Sequence, residues 1–241
     1  MKISFFLVFL IPFAAFSQDR NAWMTRQEED MFLTRLAEFI PAEEQYVYQD
    51  FTEGRVFYVP HKESNPVKLN YNRLLKQMQM ITENGDTIFV ANFEIIKYIL
   101  IDKDLYYHDF KKGYFQVLTN PDDSIRLVAQ QWLNVKTRDP LGDSDHPQPI
   151  FNKDFFAVVY YPHNPALPRQ WVKLSRGISF FLIDRTEEIH MTSKATFMKA
   201  FPKHKQEIED YLKLKDQQNA SINFHQEEDL KKLLQFCLSL S

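Results

Sequence analysis

Residues 78–90 read MQMITENGDTIFV, and this stretch indicates the fold more clearly than any other part of the chain. Two short apolar runs flank Asn84-Gly85-Asp86, and an Asn-Gly turn between such runs is a strong signal for a β-hairpin. Glycine provides the positive φ angle that a tight turn of this kind requires. The stretch therefore predicts two antiparallel strands joined by a short turn.

The same pattern of short apolar runs and polar turns continues on both sides of this hairpin. Short runs rich in Val, Ile, Tyr and Phe alternate with polar turn residues. The connections are too short for parallel crossovers, so the strands are expected to pair in antiparallel hairpins or a meander. The predicted strands are 45–51, 55–59, 67–71, 77–81, 87–91, 95–101, 105–110, 114–118 and 124–135, followed by 155–161 and 172–183.

Glycine and proline mark the turns of this β region. Gly54, Gly85 and Gly113 each stand in a polar turn before an apolar run, which predicts a positive φ angle at all three. Residues 138–152 are rich in proline and aspartate and show neither helical nor strand periodicity. They are predicted to form a loop within a β region that covers 45–190.

Helices are predicted at both ends of the chain. Thr25 followed by Glu28 is a capping-box pattern, and it predicts a helix over 25–39 within an N-terminal helical segment, 18–44. Residues 191–241 are predicted to form a helical cap, in which Ser193 caps a helix over 194–200 and Pro202 begins a second helix. The last helix starts at Glu227 and has one apolar face, made of Leu230, Leu233, Leu234, Cys237 and Leu238. The predicted fold class is α+β: an antiparallel sheet with an N-terminal helix and a C-terminal helical cap.

The first 17 residues resemble a secretory signal peptide. A positive start at Lys2 precedes an apolar run over 3–16, and small residues surround Ser17. The run is short for a membrane span, so cleavage near Ser17 or Gln18 is expected to leave no transmembrane segment. No cysteine stands at the cleavage region, so a lipoprotein is not expected. The predicted location is the periplasm, the cell surface or the medium.

Composition excludes several classes of protein. Hydrophobic residues make up 44% of the 241-residue chain and charged residues 25%, which fits neither a disordered chain nor a multi-span membrane protein. A net charge of -3 argues against a nucleic-acid partner, because such partners require basic patches. The single cysteine, Cys237, cannot form an intramolecular disulfide. It is expected to be a small buried hydrophobic residue, with an intermolecular disulfide as the alternative.

The assembled pattern resembles an uncharacterised family of secreted proteins of Bacteroidota that has no established activity. The resemblance rests on the segments 68–72 (KLNYN), 78–81 (MQMI) and 84–87 (NGDT), and on the closing segments 201–209, 222–224 and 227–230. The end of the signal at Phe16-Ser17-Gln18 is also similar to signals of that phylum. The resemblance implies export, and it implies no catalytic residue, cofactor or partner.

No catalytic, cofactor-binding or metal-binding residue is assigned from the sequence. The seven histidines include no pair at the helical i, i+4 spacing of a zinc site, and the loop Asp143-Ser144-Asp145-His146 lacks the pattern of a calcium loop. The adjacent carboxylates Asp122-Asp123 and Glu187-Glu188 would serve glycoside hydrolysis only if the fold set two of them at the required separation. Thr87 and Ser124 follow aspartate in a short motif that resembles O-glycosylation sites of Bacteroidota.

The aromatic residues form adjacent pairs, such as Phe57-Tyr58 and Tyr106-Tyr107. Strand alternation is expected to send one member of each pair into the core and to leave the other partly exposed or covered by a helix. Core packing is the expected role of most of these rings, and a surface for a partner or a sugar is the alternative. The predicted function is an exported, non-enzymatic envelope protein that binds a protein partner. The alternative is a periplasmic small-ligand or glycan-binding protein, or a hydrolase. A pocket with convergent carboxylates would favour the alternative, and a flat apolar patch would favour the partner.

Overall fold

The computed structural model describes residues 34, 36–38, 40–59, 62–90, 95–138, 156–159 and 170–240, and only the backbone at 136–138, 156–159 and 170–173. The predicted signal peptide, most of the predicted helix over 25–39 and most of the predicted loop over 138–152 lie outside these residues. Among the described residues, no helix combines the length and the apolar content that crossing a membrane requires.

One antiparallel sheet dominates the described part of the chain, which contains twelve strands. Ten of them follow the order β10-β11-β9-β8-β7-β6-β1-β3-β4-β5, while β12 pairs with β11 and β2 with β1. The strands are β1 (Thr52–Tyr58), β2 (Lys62–Glu63), β3 (Val67–Asn72), β4 (Gln77–Ile81), β5 (Thr87–Phe89), β6 (Ile96–Ile101), β7 (Asp104–Asp109), β8 (Gly113–Val117), β9 (Arg126–Arg138), β10 (Phe156–Val159), β11 (Gln170–Ile183) and β12 (Ile189–Met191).

This order confirms the predicted antiparallel sheet. Sequential hairpins join β3 to β5 and β6 to β9, and strand β1 lies between these two groups, paired with both β3 and β6. The hairpin over 77–89 has the predicted tight turn, in which Thr82 N donates to Asp86 O at 2.9 Å and Gly85 has φ +88°. The structure adds the short strands β2 and β12, which the sequence did not predict.

The sheet curls into a half-barrel. The hydroxyl of Tyr71 in β3 donates to the carbonyl oxygen of Gln131 in β9 at 3.1 Å, and Leu133 N donates to Arg73 O at 3.1 Å. The bonds join β9 to β3 and to the turn after β3, although β3 and β9 lie far apart in the sheet order. The interior of the curl is filled by one buried cluster: Val56, Leu69, Tyr71, Met78, Val90, Ile96, Ile99, Ile101, Tyr106 and Tyr114.

Three helices follow the sheet: α2 (Lys194–Ala200), α3 (Lys205–Gln217) and α4 (Glu227–Ser239), after a short α1 (Ala42–Gln45) near the start of the described residues. Ser193 caps α2 as predicted, since its side chain accepts from Thr196 N at 3.1 Å. The prediction that Pro202 begins the next helix is wrong, because α3 starts three residues later, after His204.

The C-terminal helices pack on the same face of the sheet as the interior cluster, towards β9 and β11. Leu230, Leu233, Leu234 and Cys237 of α4 are buried with sheet residues including Leu127 and Phe180. The predicted apolar face of the last helix is therefore the face that covers the sheet. Burial of these side chains from water stabilises the arrangement, at about 1.5–3 kcal/mol for each large one.

Two of the three glycine predictions are confirmed. Gly85 and Gly113 have φ near +88° and +87°. Gly54, predicted to lie in a turn, instead lies inside β1. Glycine is required there because a Cβ would overlap the carbonyl oxygen of Leu100 on the neighbouring strand. Close approach of two strands, rather than a turn, explains this glycine.

The predicted strand over 45–51 is also wrong. Residues 42–45 form α1, and the chain beyond it is held against the sheet by side chains of β3 and of the turn that follows. Asn70 Oδ1 accepts from Tyr48 N at 3.1 Å and its Nδ2 donates to Tyr48 O at 2.8 Å. Arg73 donates to the carbonyl oxygens of Tyr46 and Val47. Backbone pairing of this segment with β3 is limited to one bridge, between Tyr46 and Asn72, and the side chains of Asn70 and Arg73 hold the rest of it.

Candidate functional site

A pocket of about 460 Å³ opens on the face of the sheet opposite the C-terminal helices. This volume lies within the roughly 300–1,000 Å³ that small-molecule sites occupy. Strands β1, β6, β7 and β9 contribute to it, together with the β8–β9 loop and the β11–β12 turn. Its apolar lining consists of Phe57, Tyr98, Leu105 and Pro121, and its polar lining of Lys97, Asp122, Asp123, Ser124, Arg126 and Glu187.

Arg126 is the most buried charged residue of this pocket. It begins β9, where strand alternation sends Leu127 and Ala129 towards the helices and Arg126 and Val128 to the other face. Only 4% of its side chain is exposed. A charge buried to this extent requires partners, since removing it from water without them costs several kcal/mol.

Two partners and an aromatic ring surround the guanidinium of Arg126. Its Nη1 donates to the hydroxyl of Tyr98 at 2.8 Å, and its Nη2 pairs with the Glu187 carboxylate. Its Cζ lies 5.4 Å from the ring centroid of Tyr107, which is a cation–π contact. Its Nε is buried and has no hydrogen-bond acceptor within the part of the chain that the structure describes.

A row of aromatic side chains crosses the sheet beside Arg126, and two of its members, Tyr98 and Tyr107, contact the guanidinium. Phe57, Tyr98, Tyr107 and Phe115 are successive register partners on β1, β6, β7 and β8. The Tyr98 and Tyr107 rings meet edge to face with centroids 5.8 Å apart, and Phe115 meets Phe181 of β11 at 5.2 Å. The row covers four strands and continues through Phe181 to a fifth, and two of its members, Phe57 and Tyr98, line the pocket.

The same row tests the prediction for adjacent aromatic pairs. Tyr106 is 2% exposed and belongs to the interior cluster, whereas Tyr107 is half-buried on the pocket face. Strand alternation therefore separates this pair as predicted. In Phe57-Tyr58 the two residues also differ, since Phe57 lines the pocket and Tyr58 packs against the interior cluster.

The turn between β11 and β12 positions Glu187. Asp184 Oδ1 accepts hydrogen bonds from Thr186 N at 2.8 Å, Thr186 Oγ1 at 2.6 Å and Glu188 N at 3.1 Å. Partial burial opposes ionisation of Asp184, but these bonds and one from His190 outweigh it and lower its pKa to about 2. Glu187 has φ +62°, in the left-handed region, so the turn imposes a strained backbone that aims its side chain at Arg126.

A second group of side chains on this turn has the chemistry of a cation site. Ligand atoms of Asp184, Glu188 and His190 lie within 4.8 Å of one another. His190 Nε2 is 3.1 Å from Asp184 Oδ2 and 3.4 Å from Glu188 Oε2. The Asp184 carboxylate already accepts the hydrogen bonds that shape the turn, and Glu188 is exposed. The hydrogen bonds of the turn therefore account for the close approach of these three side chains.

The structure brings both predicted carboxylate pairs to one region of the surface, but only three of the four side chains line the pocket. Asp122, Asp123 and Glu187 line the pocket, whereas Glu188 turns to His190. Convergent carboxylates are the feature that favours a ligand-binding pocket over a flat contact surface. Glu187 is already paired with Arg126, so its carboxylate is engaged within the protein.

Sequence reasoning missed Arg126, although a signal was present. Arg126 stands between Ile125 and Leu127 in a strand whose neighbours are apolar, and all three residues are buried. A single charge inside an apolar strand is expensive unless it has a partner or a role. The partner, Glu187, is distant in sequence, and only the folded sheet brings the two together.

The other predicted residues include one, Ser124, that lines the pocket. Cys237 is 0% exposed, and burial raises the pKa of its thiol to about 12, so the buried interpretation is confirmed. Thr87 and Ser124, the residues of the predicted modification motif, are exposed, and Ser124 lines the pocket. The loop Asp143-Ser144-Asp145-His146 lies outside the described residues.

Comparison of the chain with protein-family models, with curated proteins and with solved structures finds no match.

Proposed function

We propose that this chain is an exported, non-enzymatic protein that binds a small polar ligand in the pocket around Arg126. The observation that carries the proposal is the buried Arg126 side chain in the wall of a pocket, whose Nε is shielded from solvent and has no acceptor among the described residues. Native proteins satisfy nearly all buried polar groups, so an exception at the wall of a pocket favours a ligand-binding role for this arginine.

The lining favours a polar ligand of small size. Lys97 and Arg126 bring two positive charges to the pocket, and Asp122, Asp123 and Glu187 bring three carboxylates. Phe57 and Tyr98 add apolar surface beside them. A few charged groups on an apolar base fix the orientation of a ligand, as in most small-molecule sites.

The protein-partner function is supported less well. The exposed large hydrophobic side chains of the described residues are Val59, Ile88, Phe89, Ile95, Phe110, Ile178, Met191 and Leu214. They belong to β5, β11, β12, α3 and connecting segments rather than to one element. Single exposed hydrophobic residues are normal on a protein surface and do not mark an interface.

Thermal denaturation in the presence of amino acids, sugars and organic acids tests the proposal. A ligand at 100 times its Kd stabilises the folded state by about 2.7 kcal/mol, which raises Tm by about 5 °C or more in a protein of this size. Arg126→Met should abolish the shift, and Asp122→Asn, on the exposed rim, should change its size and leave the fold intact. Absence of any shift, together with a stoichiometric protein partner crosslinked through the pocket face, would favour the partner function instead.

Export is part of the same proposal, as is membership of the Bacteroidota family of secreted proteins. Both rest on residues 1–17 and on the resemblance of the hairpin and the closing segments. Fractionation of native cells with N-terminal sequencing of the mature protein is the test. We expect a new N-terminus near Gln18 and recovery outside the cytoplasm, and an intact Met1 in the cytoplasmic fraction would contradict the proposal.

A further inference from the structure

The ion pair between Arg126 and Glu187 joins two very unequal partners. The Arg126 side chain is 4% exposed, whereas the Glu187 side chain is 58% exposed. Arg126 is held by the sheet, by Tyr98 and by the Tyr107 ring. Glu187 belongs to a turn at the sheet edge, and the described residues give its carboxylate no other hydrogen-bond donor or ion-pair partner than Arg126. Only one side of this pair is free to move.

The backbone of the turn does not depend on that pair. Asp184 N donates to Glu188 O at 3.0 Å, Glu187 N donates to Asp184 O at 3.0 Å, and the Asp184 carboxylate closes the turn from within. The Glu187 side chain can therefore swing into solvent by rotation about its own torsions. The guanidinium would then face the pocket with donors for a planar, two-oxygen acceptor.

We propose that Glu187 occupies the position of a ligand carboxylate, and that the ligand of this pocket carries a carboxylate group that displaces Glu187 from Arg126. This inference rests on the proposed function and adds the chemical class of the ligand. An arginine can bind a carboxylate through two parallel N–H···O bonds, and Glu187 takes only one of them, at Nη2, while Nε has no acceptor among the described residues. Lys97 provides a second positive charge at the pocket wall, and Ser124 provides a hydroxyl for the rest of the ligand.

The position of Glu187 also predicts competition. A carboxylate tethered to the protein acts at an effective concentration in the millimolar range or above. A free carboxylate should therefore bind more weakly to the native protein than to a variant without the Glu187 side chain. In that variant, the buried charge of Arg126 loses its ion-pair partner. An external carboxylate should take the place of that partner and restore the lost stability.

Rescue of Glu187→Ala by sodium propionate is the decisive experiment, performed on the full mature chain. Thermal denaturation is followed against propionate concentration, with sodium chloride at equal ionic strength and with propionamide as the neutral analogue. Glu188→Ala is the matched control, because this neighbouring carboxylate contacts His190 and not Arg126. We expect a lower Tm for Glu187→Ala, saturable recovery with propionate alone, and at least about tenfold weaker binding of propionate to the native protein.

Equal effects of propionate on Glu187→Ala and Glu188→Ala, or recovery with propionamide, would overturn the inference. If Glu187→Ala does not fold, Glu187→Gln keeps the side-chain volume without the charge, and direct titration of propionate by NMR gives the same comparison. A ligand without a carboxylate that still requires Arg126 would leave the proposed function standing and remove only this inference. Failure of both the rescue and the ligand panel would remove both.

Discussion

The Trp132 indole lies across the backbone of Gly177 on the neighbouring strand. The two residues are register partners of β9 and β11, and a Cβ at Gly177 would fall inside the indole ring system. Trp132 Nε1 donates to Ser179 Oγ at 3.1 Å, which fixes the ring in this position. The absence of a side chain at Gly177 is therefore what allows the longest strand pair of the sheet to carry a large aromatic residue.

Gly177→Ala should displace Trp132 and destabilise the protein. The added methyl group would overlap the ring, and crowding of this kind costs about 1–3 kcal/mol. Urea denaturation measures the change. Ile178→Ala is the matched control, because Ile178 is the next residue of β11 and is 42% exposed, so its truncation should change the free energy of unfolding by less than about 0.5 kcal/mol.

Leu233→Asp should unfold the C-terminal helices from the sheet. Leu233 is 0% exposed in the cluster that joins α4 to β9 and β11. A charge buried there without a partner should cost more than about 4 kcal/mol. Lys232→Asp places the same charge on the exposed neighbouring position. A Leu233→Asp protein as stable as Lys232→Asp would show that the helix does not pack internally in solution.

The carboxylate of Asp184 should make stability depend on pH. Its pKa is lowered to about 2 in the folded protein, below the usual 3.8, so the ionised form stabilises the fold. That contribution is complete above about pH 4 and is lost as the pH falls towards 2. Asp184→Asn should therefore be less stable by about 1 kcal/mol at pH 7, and the difference should narrow below pH 4. Chemical denaturation over this pH range checks the sign.

Cys237 should not react with thiol reagents in the folded protein. Its side chain is buried and the pKa of its thiol is raised to about 12, so almost no thiolate exists at neutral pH. Titration with Ellman's reagent should detect the thiol only in denaturant. A disulfide-linked dimer on a non-reducing gel of the native protein would contradict this expectation.

Local signals in the sequence predicted the local structure well. The Asn-Gly turn, the Ser193 cap and the acidic start of α4 at Glu227 each act within a few residues, and all three are present. The predicted strand over 45–51 was wrong because Asn70 and Arg73, more than twenty residues away, satisfy the backbone of that segment. Gly54 was misassigned for the same reason, since the atom that requires it belongs to Leu100.

The candidate site could not be predicted from the sequence pattern, because it too depends on contacts between residues that are distant in sequence. Arg126 and Glu187 stand in unrelated sequence contexts, and nothing local pairs them. Asp122-Asp123 and Glu187-Glu188 were recognised as carboxylate pairs, but which members share a pocket depends on the curl of the sheet and on the β11–β12 turn. Periodicity specifies which face a residue occupies, and only the strand order specifies its neighbours.

The pocket draws Phe57 from the first strand and Glu187 from the turn before the last one, with Arg126 between them. During synthesis, no nascent chain that ends before Glu187 can present the complete site. A proteolytic cut between these elements that separates the fragments would likewise remove it. Ligand affinity would thus report whether the polypeptide is intact and fully folded, and ligand-affinity chromatography would select such molecules from truncated products.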